Sequence, residues 1–137
     1  HQGYAFRYGN SGLTSAQGVV GGLWENVTYT VIFDVVKDGT TSGTAYSAQL
    51  IAFAPGAARN DCRSTPAGSS VVASAGGDAP GDGSFETVSF NVTGDAVDHA
   101  GYLKYDLGLR FIGASSRAIV DNVRIVRTTP PSIFLFR

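Results

Sequence analysis

The chain has 137 residues, of which 43% are hydrophobic and only 15% are charged. This length fits one domain with a hydrophobic core, and the composition excludes a solvated disordered chain. Ten basic and eleven acidic residues give a formal charge of −1. Without a cluster of Lys and Arg, we expect no nucleic-acid partner. No apolar run approaches the roughly 18 residues that a membrane-spanning helix needs, so we expect no membrane span.

The composition also favours short strands and export from the cell. Gly occurs 18 times and Met is absent, even at position 1. Gly suits tight turns, and the missing Met indicates a processed chain that we expect to be secreted. Cys62 has no second Cys to pair with inside the chain, so it is either a free thiol or an intermolecular bridge. The sequons at Asn26 and Asn91 fit export, and whether they carry glycans stays open.

Alternating apolar residues predict a series of strands along the chain. A short opening strand carries Tyr4, Phe6 and Tyr8 on one side, and the strand at 26–37 is the most regular. The strand at 45–54 has apolar residues on both parities, which indicates cover on both faces. Further strands are predicted at 69–75, 86–93, 103–111 and 118–127, separated by turn sequences, and no window shows helical periodicity. The predicted fold class is therefore all-β, a two-sheet antiparallel β-sandwich.

The sequence divides into a sandwich domain, 1–127, and a C-terminal tail, 128–137. Two consecutive prolines stiffen the start of the tail and keep it extended. The tail then becomes strongly apolar, through Ser132, Ile133, Phe134, Leu135 and Phe136. An apolar tail needs a groove or a partner, so it could join copies of the chain into a homo-oligomer by strand addition.

The order of these segments resembles galactose-binding-like β-jelly-roll domains, which are similar to carbohydrate-binding modules of the family 4, 9 and 22 type. The resemblance begins at 23–35, a turn followed by NVTYTVIFDV, and continues through 46–53 and 83–93. It ends with the strand pair at 108–112 and 119–125. It covers roughly residues 18–127, and it implies a jelly roll that binds sugar.

Asp121 is the candidate metal ligand. Strand alternation places it on the same face as Val123 and Ile125, and so in the core, where a carboxylate must be paired, hydrogen-bonded or bound to metal. The resemblance implies a structural calcium ion at this position, and calcium takes six to eight oxygen ligands. The alternative is a hydrogen-bonded Asp at a strand end or bulge. The chain opens with HQGYAF, which departs from the opening strand that supplies further calcium ligands in the resembled modules.

No motif in the sequence points to catalysis. The chain has two His, no Gly-x-Ser-x-Gly elbow and no pair of metal-binding His, so we predict that it is not an enzyme. His1 and His99 invite a comparison with copper oxidases that use an amino-terminal His, but nothing else in the sequence supports it.

Sugar binding has more support, because the apolar faces of carbohydrates stack on aromatic rings. The candidate ligand-binding residues are Trp24, Tyr102, Tyr4 and Tyr8, and each could instead be packed in the core. We therefore predict a non-catalytic extracellular carbohydrate-binding module of a larger secreted protein, with a polysaccharide or glycan as its partner. The alternative is a self-assembling structural subunit of an extracellular filament or surface layer, joined through the tail.

Overall fold

The computed structural model describes residues 4–6, 12–14, 21–37, 45–57, 64–80, 83–113 and 118–130. Over these ranges the chain forms strands and turns, without a helix. The strands are β1 (Tyr4–Phe6), β2 (Gly12–Thr14), β3 (Thr28–Lys37), β4 (Ala45–Phe53), β5 (Ser70–Asp78), β6 (Glu86–Thr93), β7 (Asp106–Gly113) and β8 (Ala118–Thr128). The sequence analysis predicted all of them except β2.

The strands form two four-stranded sheets. The first sheet has the order β1-β8-β3-β6 and the second has the order β2-β7-β4-β5, and every pairing between these strands is antiparallel. The prediction of an all-β two-sheet sandwich is confirmed. No helix in the described ranges is long and apolar enough to cross a membrane.

The core lies between the sheets and is built on strand alternation. Every second residue of β3 is buried, as predicted, and the ring of Phe33 lies at the centre. Three aromatic rings meet Phe33 edge-on, with centroid distances of 6.0 Å to Tyr46, 6.5 Å to Phe90 and 5.2 Å to Phe111. These contacts join both sheets, because Tyr46 and Phe111 belong to the second sheet and Phe33 and Phe90 to the first.

The second sheet is also covered on its outer face, as the pattern of β4 indicated. Ile51 and Phe53 are buried although they lie outside the core cluster. On the same face Arg110 is only 5% exposed, and its Nε donates a hydrogen bond to Gln49 at 2.7 Å. Its Nη2 donates to Thr65, which follows β4 in the loop that leads to β5, at 3.0 Å. This loop therefore reaches back over the outer face of the second sheet.

The prediction that Asp121 faces the core is wrong. The pairing of β3 with β8 jumps between Ile32 opposite Arg124 and Asp34 opposite Asp121, so β8 contains one extra residue at this point. Asn122 takes up the bulge with a positive φ of 53°. A bulge reverses the alternation that follows it, so Asp121 lies beside Asp34 on the outer face of the first sheet.

Several strand boundaries differ from the prediction by one to three residues. Leu103 and Tyr105 lie in a turn before β7, which begins only at Asp106. At the C-terminus β8 runs to Thr128, and the apolar tail segment 132–137 lies outside the described residues, as does Tyr8.

Candidate functional site

The candidate site is the segment 21–27, called here the Trp24 turn, at the end of the sandwich where β3 and β7 begin. Gly22 forms a bridge with Asp106, and Leu23 is fully buried in the core. Because side chains alternate along an extended chain, Trp24 points away from the core. Trp24 is 45% exposed, and it is one of four large hydrophobic residues that are exposed in the described part of the chain.

Backbone hydrogen bonds hold the Trp24 turn on both sides. On one side the Leu23 amide donates to the Tyr105 carbonyl at 2.8 Å, and the Lys104 amide donates to the Leu23 carbonyl at 2.7 Å. On the other side the Asn26 amide donates to the Gly94 carbonyl at 2.8 Å. Asn26 has a positive φ of 62°, which Asn tolerates better than most residues, so it has a structural role in this turn.

The buried side chain of Tyr29 supports the Trp24 turn from the core side. Its side chain is fully buried, and its hydroxyl donates to the Gly22 carbonyl at 2.6 Å. The same hydroxyl accepts a hydrogen bond from the Trp24 amide at 3.0 Å. One buried hydroxyl thus satisfies two backbone groups of the turn, and it fixes the main chain that carries the Trp24 ring.

A second turn, residues 95–105, lies beside the Trp24 turn. The Asp95 carboxylate accepts hydrogen bonds from the amides of Val97 and Asp98, both at 2.8 Å. Nδ1 of His99 accepts a hydrogen bond from the Asp95 amide at 3.0 Å. The turn ends on Tyr105, whose carbonyl holds Leu23, so its conformation supports the Trp24 turn as well.

We predict that acid loosens this second turn. The amides of Asp98 and Val97, with the nearby His99 charge, lower the pKa of Asp95 below its usual 3.8. A lowered pKa in the folded protein means that the carboxylate stabilises the turn above about pH 4 and loses this effect as pH falls through the lowered value. The measurement is the NMR shift of the Val97 and Asp98 amides from pH 6 to pH 2. Both amides should titrate together, and Asp95→Ala should abolish the titration; amides that stay unchanged would contradict the prediction.

The structure separates the predicted sugar-binding residues into two groups. Tyr102 lies in the second turn, half-buried, with its ring 6.0 Å from that of Tyr105. Its segment is therefore beside Trp24. Tyr4 is opposite Val120, which pairs with Val35 near the far end of β3, roughly 20 Å from the Trp24 turn. Tyr4 and Trp24 do not share a site, and Tyr8 lies outside the described residues.

Sequence reasoning missed two basic residues. Arg110 occupies the polar parity of β7, which predicts an exposed side chain, and only the loop that returns over the sheet buries it. Arg127 lies opposite Tyr29 in the first sheet, and its guanidinium carbon is 6.0 Å from the centroid of the Tyr29 ring. Arg127 lies opposite a buried aromatic residue, and this position is its only signal. The signal can be recognised only when the register of the strands is known.

The surroundings of Asp121 fit a hydrogen-bonded carboxylate at a bulge. The Asn122 amide donates to Asp121 at 2.7 Å. Neighbouring Asp34 accepts from the Thr87 hydroxyl at 2.7 Å and from the Asn122 side-chain amide at 3.3 Å. Among the described residues no three His, Cys, Asp or Glu side chains come together at a metal site. Two carboxylates are few for the six to eight oxygens of calcium, so calcium at Asp121 stays a prediction.

Comparison with solved structures identifies a shared architecture. The chain is similar to a cyclase from Fischerella sp. TAU, with a TM-score of 0.62 and 20% identity over 89% of this chain and 58% of that one. A second structure of a cyclase from this source, in complex with 4-(1H-indol-3-yl)butan-2-one, gives a TM-score of 0.58 and 18% identity over 92% of this chain and 61% of that one. The chain thus spans about three fifths of the cyclases that it matches. At these identities the similarity establishes the fold.

Comparison of the sequence with protein families and with curated proteins found no match. A module pair of the Clostridium thermocellum xylanase 10B, CBM22-1-GH10 with xylohexaose, matches with a TM-score of 0.46 and 13% identity over 98% of this chain and 26% of that one. That score is too low to support an inference about this chain.

The similarity to cyclases overturns one prediction. From the absence of a catalytic motif we predicted that the chain is not an enzyme. Both cyclases are enzymes, and both share this sandwich with the chain. The absence of a familiar motif therefore does not exclude catalysis for this fold, because chemistry depends on the site and not on the architecture.

Proposed function

We propose that the chain binds a carbohydrate at the Trp24 turn, with the Trp24 ring as the stacking platform. The observation that carries this proposal is a Trp residue that is 45% exposed on a turn whose backbone is held on both sides. A ring on a rigid support loses little conformational entropy when a ligand packs on it. Glu25 and Asn26 follow the ring and are exposed, so polar groups for sugar hydroxyls stand beside an apolar surface.

The proposal concerns binding, which both a binding module and an enzyme of this architecture require. Secretion and attachment to a larger protein stay predictions that accompany it. Assembly into a filament or surface layer also stays a prediction, since the tail segment 132–137 that would mediate it lies outside the described residues.

We predict that Trp24→Ala removes glycan binding and leaves the fold intact. The loss should exceed tenfold in affinity, because the apolar platform is deleted while the buried groups beneath it remain. Binding is measured first on a glycan array and then by calorimetry with the best ligand. For the wild type, fluorescence offers a second measurement, since Trp24 is the only Trp of the chain.

Phe85→Ala is the matched control for this experiment. Phe85 is another exposed aromatic residue, at 51%, and it precedes β6 at the opposite end of the sandwich. The Phe85→Ala variant should bind the glycan with the affinity of the wild type. Equal binding by Trp24→Ala, or no binding of any glycan by the wild type, would overturn the proposal.

A further inference from the structure

Beyond its bulge, one edge of β8 pairs with no strand in the described part of the chain. β3 pairs with β8 as far as Thr128, whereas on the other side β1 pairs with it only over 118–120. At the bulge the Asn122 carbonyl accepts a hydrogen bond from Arg124 at 2.9 Å. After the bulge, residues 123–128 present backbone amides and carbonyls along this side, called here the β8 edge, and no described residue pairs with them.

Apolar side chains on both faces of the β8 edge are incompletely covered. Val123 and Ile125 pack against the core but are only half-buried, although Val31, which lies opposite Ile125 on β3, is completely buried. On the outer face Val126 is 46% exposed. A further strand at this edge would cover these side chains, so both apolar burial and main-chain hydrogen bonds favour its addition.

The opposite side of the sandwich is closed. There β5 and β6, which are the last strands of the two sheets, approach each other. Among the described strands, none of the second sheet approaches β8 to the same extent. The β8 edge is therefore the more accessible of the two sides for an added strand.

The apolar tail segment 132–137 has the length and the pattern that such a strand needs. Its sequence is SIFLFR, six residues long, and the β8 edge also contains six residues, 123–128. Apolar residues occupy both parities of this segment. Since alternate side chains of a strand point to opposite faces, one set can cover the core side of the β8 edge while the other packs beside Val126.

Two prolines oppose a return of the tail onto the strand that it follows. β8 ends at Thr128, and Pro130 and Pro131 come before the apolar tail segment. A proline fixes its own φ, and it keeps the residue before it out of the helical backbone conformation that a tight turn requires. The β8 edge of another molecule is accessible to an extended tail without such a turn.

We propose that the β8 edge binds the apolar tail segment 132–137 of a second copy of this chain. The tail adds to the first sheet of the other copy as a further strand, through main-chain hydrogen bonds and apolar contacts with Val123, Ile125 and Val126. Two copies that exchange tails form a closed dimer, and copies that each pass the tail to the next form a longer assembly. The inference goes beyond the proposed function, because association between chains does not require a bound sugar.

The mass of the intact chain in solution, measured by light scattering, tests the proposal. We expect at least twice the mass of one chain. Val126→Lys should reduce this to the mass of one chain, because a lysine on an edge strand opposes strand addition. The matched control is Val97→Lys. Val97 is 83% exposed in the turn at 95–105, and its variant should keep the mass of the wild type.

A second variant changes the tail and leaves the β8 edge intact. Phe134→Asp combined with Leu135→Asp places one charge on each parity of the tail, so this variant should also have the mass of one chain. When it is mixed with Val126→Lys, association should return, because the tail variant supplies an intact edge and Val126→Lys supplies an intact tail. The mixture should contain particles with one chain of each kind. Circular dichroism shows that each variant keeps the β-sandwich.

Three results would overturn the proposal. The first is a wild-type chain with the mass of a single chain. The second is an assembly that persists in both variants, since association would then use another surface. The third is a pair of single-chain variants that stay apart when mixed, because the tail and the β8 edge would then not be the two halves of one contact.

Discussion

Gly94→Ala is expected to destabilise the protein by about 3 kcal/mol, a large loss for a single methyl group. A Cβ atom at Gly94 would run into the carbonyl oxygen of Trp24 and lie 2.7 Å from its carbonyl carbon. Both are backbone atoms, and the Gly94 amide and carbonyl are themselves bonded to Val27 and Asn26. No side chain can rotate to relieve the contact. The main chain at Gly94 must therefore move away from the Trp24 turn and lose these hydrogen bonds. Urea denaturation monitored by circular dichroism measures the change in the free energy of unfolding.

Gly101→Ala is the control for this substitution. Gly101 lies in the neighbouring turn, and a Cβ atom there would meet nothing within 4 Å. Its effect should stay within about 0.5 kcal/mol, as for most surface substitutions. If Gly94→Ala were as stable as Gly101→Ala, the close packing of β6 against the Trp24 turn would be refuted.

Gly94→Ala should also weaken the proposed sugar site in the molecules that remain folded. The clash acts on the carbonyl of Trp24, whose ring is the proposed platform. A displaced carbonyl moves the adjoining side chain, so glycan affinity should fall together with stability. Reduced affinity measured well below the unfolding transition would show that the site itself is distorted.

Much of this fold follows from local pattern in the sequence. In β3 the apolar residues stand at every second position, and a strand with one fully apolar parity has only one face that it can turn toward a core. The dense apolar pattern of β4 likewise predicted cover on both faces, which Ile51 and Phe53 show. These predictions succeed because the period of side-chain burial is set by the strand itself.

The errors occur where non-local contacts change that period. At Asp121 a single inserted residue reverses the faces of β8, and the register of β3 against β8 is what reveals it. Asp-Asn in the middle of an apolar strand is the only local hint of the bulge. Arg110 shows the same limit, because its burial depends on Thr65, 45 residues earlier in the chain.

The sequence predicted only part of the candidate site, because the rest of it depends on non-local contacts. Trp24 was one of four aromatic candidates, and its exposure follows from the neighbouring Leu23, which hydrogen bonds with Tyr105 fix toward the core. For Tyr29, strand alternation in β3 predicts only that its ring faces the core. Its hydroxyl contacts with Gly22 and Trp24 depend on how the turn folds back, which alternation does not describe.

Tyr29→Phe is expected to cost about 2 kcal/mol of stability, because it leaves the Gly22 carbonyl and the Trp24 amide without their buried partner. The ring stays, so the core packing is preserved and the loss acts on the Trp24 turn. Since Trp24 is the only Trp, its fluorescence anisotropy and acrylamide quenching report on this turn directly. Anisotropy should fall and quenching should rise, and glycan affinity should decrease severalfold, because a mobile platform must be ordered again on binding.

Tyr105→Phe separates this positioning role from a general effect of losing a hydroxyl. Tyr105 is partly buried against the core, and its hydroxyl makes no hydrogen bond within the described part of the chain. It should keep wild-type stability within about 0.5 kcal/mol and wild-type Trp24 fluorescence. Tyr29→Phe with an unchanged Trp24 signal would mean that the hydroxyl is not what fixes the ring, and the backbone bonds to Tyr105, Lys104 and Gly94 would then be sufficient to hold the turn. A changed Trp24 signal with weaker glycan binding would instead show that a buried residue, out of reach of the sugar, sets the geometry of the surface that binds it.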